Sequence, residues 1–273
     1  MNGIGNGAEL KQSKPAGPGG QRRIIAVCGK GGSGKTTLVS LMAGVLLEAG
    51  RRALLIDADP TTGLLFTLGQ EVNKTVAEIR EDVIRQARKA TTEENRTELA
   101  GSIDYFLMEA MVEKGGLSLL SMGRQEGPGC FCPVNDLLRE AIETLSQHFD
   151  LTIIDGEAGI EQINRRVMRR VDTWAVVTDR SRRGFETARL IRDLIGRMAP
   201  SSGAGLVVNR ADGTGIGLDH YAPLFSLGVL GCIPEDGELA AFDRQGRPLL
   251  ELPAASPAVT AVREIMEKLL LKV

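Results

Sequence analysis

The chain has 273 residues, enough to bury a sizeable core as one large domain or two small ones. Hydrophobic residues at 42% and charged residues at 25% are ordinary globular values that exclude wholesale disorder, a fibrous repeat and a disulfide-dense miniprotein. Thirty-three Lys and Arg against 35 Asp and Glu leave a formal charge of -2, without the basic excess of proteins that track phosphate backbones, so nucleic acid is not an expected partner.

The first twenty residues hold six Gly and two Pro with almost no periodic apolar residues, so 1–21 reads as a flexible tail and 22–273 as the folded domain. Apolar runs at 24–28, 53–56, 117–121, 151–154, 174–177, 206–208 and 229–233 read as buried strands. Between them lie helical patterns at about 34–49, 75–90, 104–113, 134–147, 160–170, 183–198 and 258–271. This alternation predicts an α/β fold, a single domain with a mostly parallel sheet and helices on both faces. Ligands of such sheets bind beyond the carboxyl ends of the strands, which directs attention to the loops there. No apolar run approaches the roughly 20 residues of a spanning helix, and the N-terminus lacks the apolar stretch of a signal peptide. The expectation is a cytoplasmic protein with no membrane partner.

Directly after the first strand stands Gly29-Lys30-Gly31-Gly32-Ser33-Gly34-Lys35-Thr36-Thr37, which fits G-x-x-x-x-G-K-[ST] and opens a helix. Glycines let backbone N–H groups converge on phosphates, and the helix N-terminus adds its positive dipole end. Lys35 is placed to reach the outer phosphates and Thr36 to ligate Mg²⁺. An ordinary phosphate loop does not need Lys30. The K-G-G-x-G-K-T-T run resembles the deviant Walker A group of dimeric ATPases, which includes the nitrogenase iron protein and the Min- and ParA-type ATPases. The resemblance implies a homodimer in which Lys30 reaches across the interface to the partner's nucleotide, as an arginine finger does elsewhere.

The second strand ends in Asp57-Ala58-Asp59-Pro60, and Asp155 closes Thr152-Ile153-Ile154 to begin D-G-E-A-G. By the same resemblance these are the two switch segments: Asp59 would orient the attacking water, Asp57 would lie near the Mg²⁺ shell, and Asp155 would hold Mg²⁺ directly or through water. Asn209-Arg210 and Pro234-Glu235-Asp236 follow later strands and match the family's adenine-recognising segments, which points to ATP, hydrolysed to ADP; an N-K-x-D signature for guanine is absent.

Four cysteines are too few for a disulfide framework in a chain of this length. Cys28 and Cys232 lie within apolar strand segments and suit small buried hydrophobes. Cys130 and Cys132 differ: they stand two positions apart in a loop bounded by Gly and Pro, so both sulfurs can address one ion. Two thiolates do not complete a four-coordinate soft-metal site, but a twofold axis would supply two more. Metal is favoured over a redox pair, because a ring between residues two apart is strained. Neither His148 nor His220 has ligand spacing, and both read as surface residues.

The stretch from Asp104 through Arg139, with M-G-R-Q-E-G-P-G-C-F-C-P at its centre, and I-I-D-G-E-A-G-I-E-Q-I-N-R-R after it, is similar to the CooC-type nickel-insertion ATPases and their AcsF counterparts. The likeness runs over about residues 22–270, with Gln162 where relatives tend to carry His. It implies Ni²⁺, or Zn²⁺, bound at Cys130 and Cys132 and delivered to a nickel enzyme, carbon monoxide dehydrogenase or acetyl-CoA synthase. Two other functions of the same ATPase class remain as alternatives, electron transfer and positioning or partition. For the last, the apolar positions Val259, Val262, Ile265, Met266, Leu269 and Leu270 suit packing on the sheet better than membrane insertion. The run Arg165, Arg166, Arg169, Arg170, Arg180, Arg182 and Arg183 suits a solvated face better than DNA contact.

Overall fold

The computed structural model describes residues 22–89, 101–124, 133–156, 163, 167–211 and 228–271. In chain order they form β1 (Arg23–Gly29), α1 (Lys35–Glu48), β2 (Ala53–Asp57), α2 (Gly63–Thr67), α3 (Val76–Lys89), α4 (Ile103–Ala110), β3 (Val112–Lys114) and β4 (Leu117–Ser121). There follow α5 (Pro133–Ser146), β5 (Leu151–Asp155), β6 (Thr173–Thr178), α6 (Arg182–Met198), β7 (Gly203–Ala211), β8 (Gly228–Pro234), α7 (Gly237–Gln245), a 3-10 turn (Leu249–Glu251) and α8 (Pro257–Leu271). Residues 1–21, the cysteine loop at 125–132 and most of the helical pattern at 160–170 lie outside the described residues.

The strands form one sheet in the order β3-β4-β2-β5-β1-β6-β7-β8. Every pairing is parallel except β3 with β4. Because β1 lies between β5 and β6, the phosphate-loop sequence leaves the middle of the sheet at its carboxyl edge. The strands are apolar on both sides because both faces are covered. Ile25 and Val27 of β1 face a layer built from α1, α2, α7 and α8, whereas Ala26 and Cys28 face α3, α4, α5 and α6.

The strand expectations hold to within a few residues at each end, and the helical patterns at 34–49, 75–90, 134–147, 183–198 and 258–271 are present with bounds shifted by one residue or so. The pattern at 104–113 stops at Ala110, because Val112–Lys114 turn back as an antiparallel edge strand on β4. Elements absent from the sequence reading are α2, too short for periodicity to register, β3, and α7. The ends of α7 were marked: Asp236 caps it by accepting from Glu238 N and Leu239 N, and Gly246 follows it at φ 64. Among the described residues no helix is long and apolar enough to cross a membrane.

The C-terminal helix α8 packs as its apolar stripe requires. Val259, Val262, Ile265, Met266 and Leu269 are buried, and Leu270 alone of the six apolar positions is exposed. Ile265 lies over Gly231 of β8, where a Cβ would sit 2.5 Å from Ile265 Cγ1. Ile265→Ala should therefore cost about 2–5 kcal/mol in urea unfolding, and Gly231→Ala about 1–3 kcal/mol. The double variant should lose less than the sum, because the truncation at 265 removes the atoms that the new methyl would meet.

Candidate nucleotide site

Gly29 ends β1 where the backbone of β6 approaches so closely that any Cβ would run into the Val177 carbonyl. The loop then turns through Gly32 and Gly34, both with positive φ, before α1 begins at Lys35. The N-terminus of α1 has neither a side-chain cap nor an acidic residue in its first turn. Its first N–H groups and dipole thus remain available to an anion. Lys35 Nζ donates to the Lys30 carbonyl at 3.3 Å, which folds this lysine back over the loop.

A clamp from the far side of the sheet holds the loop. At the β7–β8 register shift, Val208 pairs with Cys232 and Ala211 with Pro234, so Asn209 and Arg210 oppose the single residue Ile233. Arg210 takes a left-handed φ of 54, and this bulge turns Asn209 toward the loop. Asn209 Nδ2 donates to the Ser33 carbonyl at 2.9 Å, its Oδ1 accepts from Arg210 N, and a Cβ on Gly34 would collide with its amide. Both ends of this side chain are engaged within the protein. Beside it a cavity of about 530 Å³ is lined by Thr37, Asn209, Arg210, Pro234, Glu235 and Asp243, among others. Its volume is in the range of small-molecule sites, and it adjoins the phosphate loop at Thr37. The two segments that sequence reading assigned to the base thus meet around one cavity. The carboxylate of Asp236 also borders it but is committed to capping α7 and to accepting from Ser256 Oγ and Ala258 N.

The carboxylates form a row. Strand register places Asp57 opposite Asp155 on one side and Ser121 on the other, all at the carboxyl edge and on the face covered by α1. Asp57 is fully buried; its oxygens accept from Asp59 N at 3.1 Å and Leu64 N at 2.9 Å. Burial pushes its carboxyl up to about 6, with those backbone bonds pulling the other way. Asp155 is 1% exposed, and neither of its oxygens has a hydrogen-bond partner of good geometry. Burial pushes it up to about 7; the adjacent Thr36 hydroxyl and the Lys35 charge offset part of that, and the Asp57 and Asp59 charges add to it. Asp59 is half-buried and accepts from Thr61 N and Thr61 Oγ1 at 2.9 and 2.7 Å, so its carboxylate is tied into its own loop.

This donor set fits magnesium. A buried carboxylate beside a Thr hydroxyl offers hard oxygen ligands in a place where the Lys35 charge compensates only part of the cost of ionisation. Thr36 and Asp155 would hold the ion, with Asp57 in the outer shell; when bound, the ion neutralises charge on the phosphates.

Two further residues beside the site were not singled out from sequence. Asp179 lies 3.5 Å from Lys30 Nζ, and it stands just past β6, one residue after Thr178 ends that strand, a weaker version of the strand-end signal given by Asp57 and Asp155. Ser121, on the carboxylate row, has a buried hydroxyl without a partner and no distinguishing sequence signal. Cys28 is fully buried, and burial pushes its thiol up to about 12; Cys232 is partly buried, with its thiol raised by the same cause. His148 is exposed just after α5, whereas Cys130, Cys132, Gln162, Arg165, Arg166 and His220 lie outside the described residues. Arg169 and Arg170 are exposed and bonded to Glu140 and Asp172, as a solvated face would be. Among the described residues no three His, Cys, Asp or Glu side chains gather as a metal-binding group.

The carboxyl of Asp155 makes a testable difference. Its folded value of about 7 lies above the ordinary 3.8, so the folded chain binds more protons than the unfolded chain between those values. Its contribution to stability is therefore present at low pH and lost as pH rises toward 7. Asp155→Asn should raise the melting temperature of nucleotide-free and magnesium-free protein at pH 8 by about 5 °C, with the difference vanishing near pH 4. Magnesium with nucleotide should stabilise the parent chain at pH 8 and the variant far less, as followed by thermal melts.

Residues 24–249 match the model of the CobQ/CobB/MinD/ParA nucleotide binding domain. An ATP-binding protein of Methanocaldococcus jannaschii is 38% identical over 254 residues, covering 91% of this chain and 99% of that protein. The carbon monoxide dehydrogenase accessory protein CooC of Rhodospirillum rubrum is 30% identical over 251 residues, covering 85% of this chain and 90% of its own. Among solved structures, the MinD cell division protein of Aquifex aeolicus superposes with a TM-score of 0.68 at 21% identity, over 92% of this chain and 98% of that one. With the loop, the clamp and the carboxylate row in place, the chain is a P-loop ATPase of the CobQ/CobB/MinD/ParA nucleotide-binding family.

Proposed function

We propose that this ATPase works as a homodimer that carries a soft metal ion, nickel by preference, on Cys130 and Cys132 and delivers it to a nickel enzyme under the control of Mg-ATP. The observation that carries the reading is the course of β4. Its last residue, Ser121, pairs with Asp57 in the carboxylate row, and Met122 N donates to the Asp57 carbonyl at 2.8 Å. From there the chain runs on to Cys130 and Cys132, and Pro133 immediately begins α5. A rearrangement of the switch residues around Asp57 would thus reach the thiols through this backbone hydrogen bond and the chain segment that follows Met122.

The likeness to CooC, named as an accessory protein of carbon monoxide dehydrogenase, supports the metal and the class of client. The extra lysine supports the dimer, because an ordinary phosphate loop does not need it and, as in the dimeric ATPases that its motif resembles, it would meet charge developing on a partner's phosphates. In this reading ATP occupies the loop and the adjoining cavity, Lys35 and the α1 N-terminus hold its phosphates, and Asp59 orients the attacking water once released from Thr61. Hydrolysis removes the γ-phosphate contacts that favour the closed dimer and so changes access to the metal. The burial of the α8 stripe weighs against a membrane-positioning role for that helix.

Ligand counting supplies the test. Each chain offers two thiolates in one loop, so a four-sulfur site needs two chains and one ion per dimer. Anaerobic Ni²⁺ titration, followed by the sulfur-to-metal charge-transfer band, should saturate at that ratio and weaken as pH falls and the thiols protonate. Cys130→Ser or Cys132→Ser should abolish tight binding with ATP affinity nearly unchanged, and Cys28→Ser should spare both. One ion per monomer, or binding retained in the double Cys130→Ser and Cys132→Ser variant, would overturn the shared site.

A further inference from the structure

The lysine that the proposed mechanism sends to a partner's nucleotide is not free in this chain. Lys30 Nζ lies 3.5 Å from Asp179 Oδ2, with the two side chains 36% and 25% exposed. We infer that Asp179 is a latch that holds Lys30 on its own subunit and must release it before the closed dimer can form. The inference rests on the proposed role of Lys30 across the interface.

The position of Asp179 is built rather than incidental. It follows the last residue of β6, the strand whose Val177 pairs with Gly29, so it stands next to the start of the phosphate loop. Its Oδ1 accepts from Ser181 N and Ser181 Oγ, and Ser181 in turn caps α6 by accepting from Gly184 N at 3.0 Å. Gly184 permits this packing, because a Cβ there would collide with Asp179 Oδ1 and lie 2.6 Å from Thr178 Oγ1. One carboxylate oxygen is thus fixed by the helix cap, which leaves Oδ2 aimed at the lysine. Partial burial pushes the Asp179 carboxyl up, but the Ser181 bonds and Lys30 outweigh it and hold it below the ordinary carboxylate range. It is charged at neutral pH.

A single ammonium cannot sit on this carboxylate and also reach a phosphate on another subunit, so the two contacts compete. Partly exposed ion pairs of this kind are worth a factor of about 1.4 to 5 each. A dimer releases two of them, and the factors multiply: a threefold latch gives about ninefold in the dimer dissociation constant. Such a device raises the threshold for association without weakening the closed state itself.

The test is Asp179→Asn, which keeps an oxygen to accept from Ser181 while removing the charge. Sedimentation of the full chain with Mg²⁺ and a non-hydrolysable ATP analogue should show the dimer dissociation constant lowered by about threefold to tenfold, with analogue affinity of the monomer and the melting temperature unchanged. In a Lys30→Ala background the same substitution should have no effect, because there is nothing to release. An unchanged or raised dissociation constant, a fall in analogue affinity, or an equal effect in the Lys30→Ala background would overturn the latch. Failure of the underlying reading is seen separately: undiminished ATP turnover in Lys30→Ala alone, or no nucleotide-dependent dimer in the parent chain, removes the trans lysine and the latch with it. Lost turnover in Lys30→Ala combined with an unmoved constant in Asp179→Asn removes the latch only.

Discussion

Two buried carboxylates side by side are the constraint around which the site is organised. Asp57 and Asp155 occupy paired positions at the carboxyl ends of adjacent strands whose preceding residues are almost all buried and apolar. Desolvation makes ionisation of each costly and raises their carboxyls to about 6 and about 7, with the Asp57 and Asp59 charges adding to the rise at Asp155 and the Asp59 charge to that at Asp57. The protein relieves Asp57 with backbone N–H groups from the following loop and leaves Asp155 without a bonded partner. This asymmetry makes one strand end an anchor for the loop that follows it and leaves the other with oxygens that a cation could take.

The same economy of contacts governs the phosphate loop. Its backbone can stand open toward an anion because its outer side is held by one amide, Asn209, delivered across the sheet by a bulge that Arg210 makes possible. Glycine at 29 and 34 is required less by flexibility than by contact: a backbone carbonyl lies against one and a side-chain amide against the other. With Asn209 gripping one side of the loop and no side chain capping the N-terminus of α1, backbone donors there are left to an anion.

Charge at the rim is arranged differently from charge in the row. Lys30 and Asp179 are partly exposed, so their attraction is modest and reversible, whereas Asp155 is dry and its protonation is energetically large. A weak contact can serve as a threshold that association of two subunits overcomes. A strong one cannot, because the cost of exchanging it would exceed what a few phosphate contacts return.

The sequence by itself determined the fold class, the positions of the central strands and the identity of the phosphate loop. Each depends on local patterns: continuous apolar runs for strands buried on both faces, helical spacing for the layers, and a Gly-rich turn between β1 and α1. The strand-end carboxylates were legible for the same reason, since Asp57 and Asp155 interrupt apolar runs. What only the tertiary structure decided is which of these groups meet. The grip of Asn209 on Ser33 spans 176 positions in sequence, the pairing of Asp57 with Asp155 depends on β5 entering between β1 and β2, and Asp179 reaches Lys30 because β6 adds to the other side of β1. Strand order is set by how the two helical layers bury against the sheet as a whole, a non-local balance of packing that no window of the sequence contains.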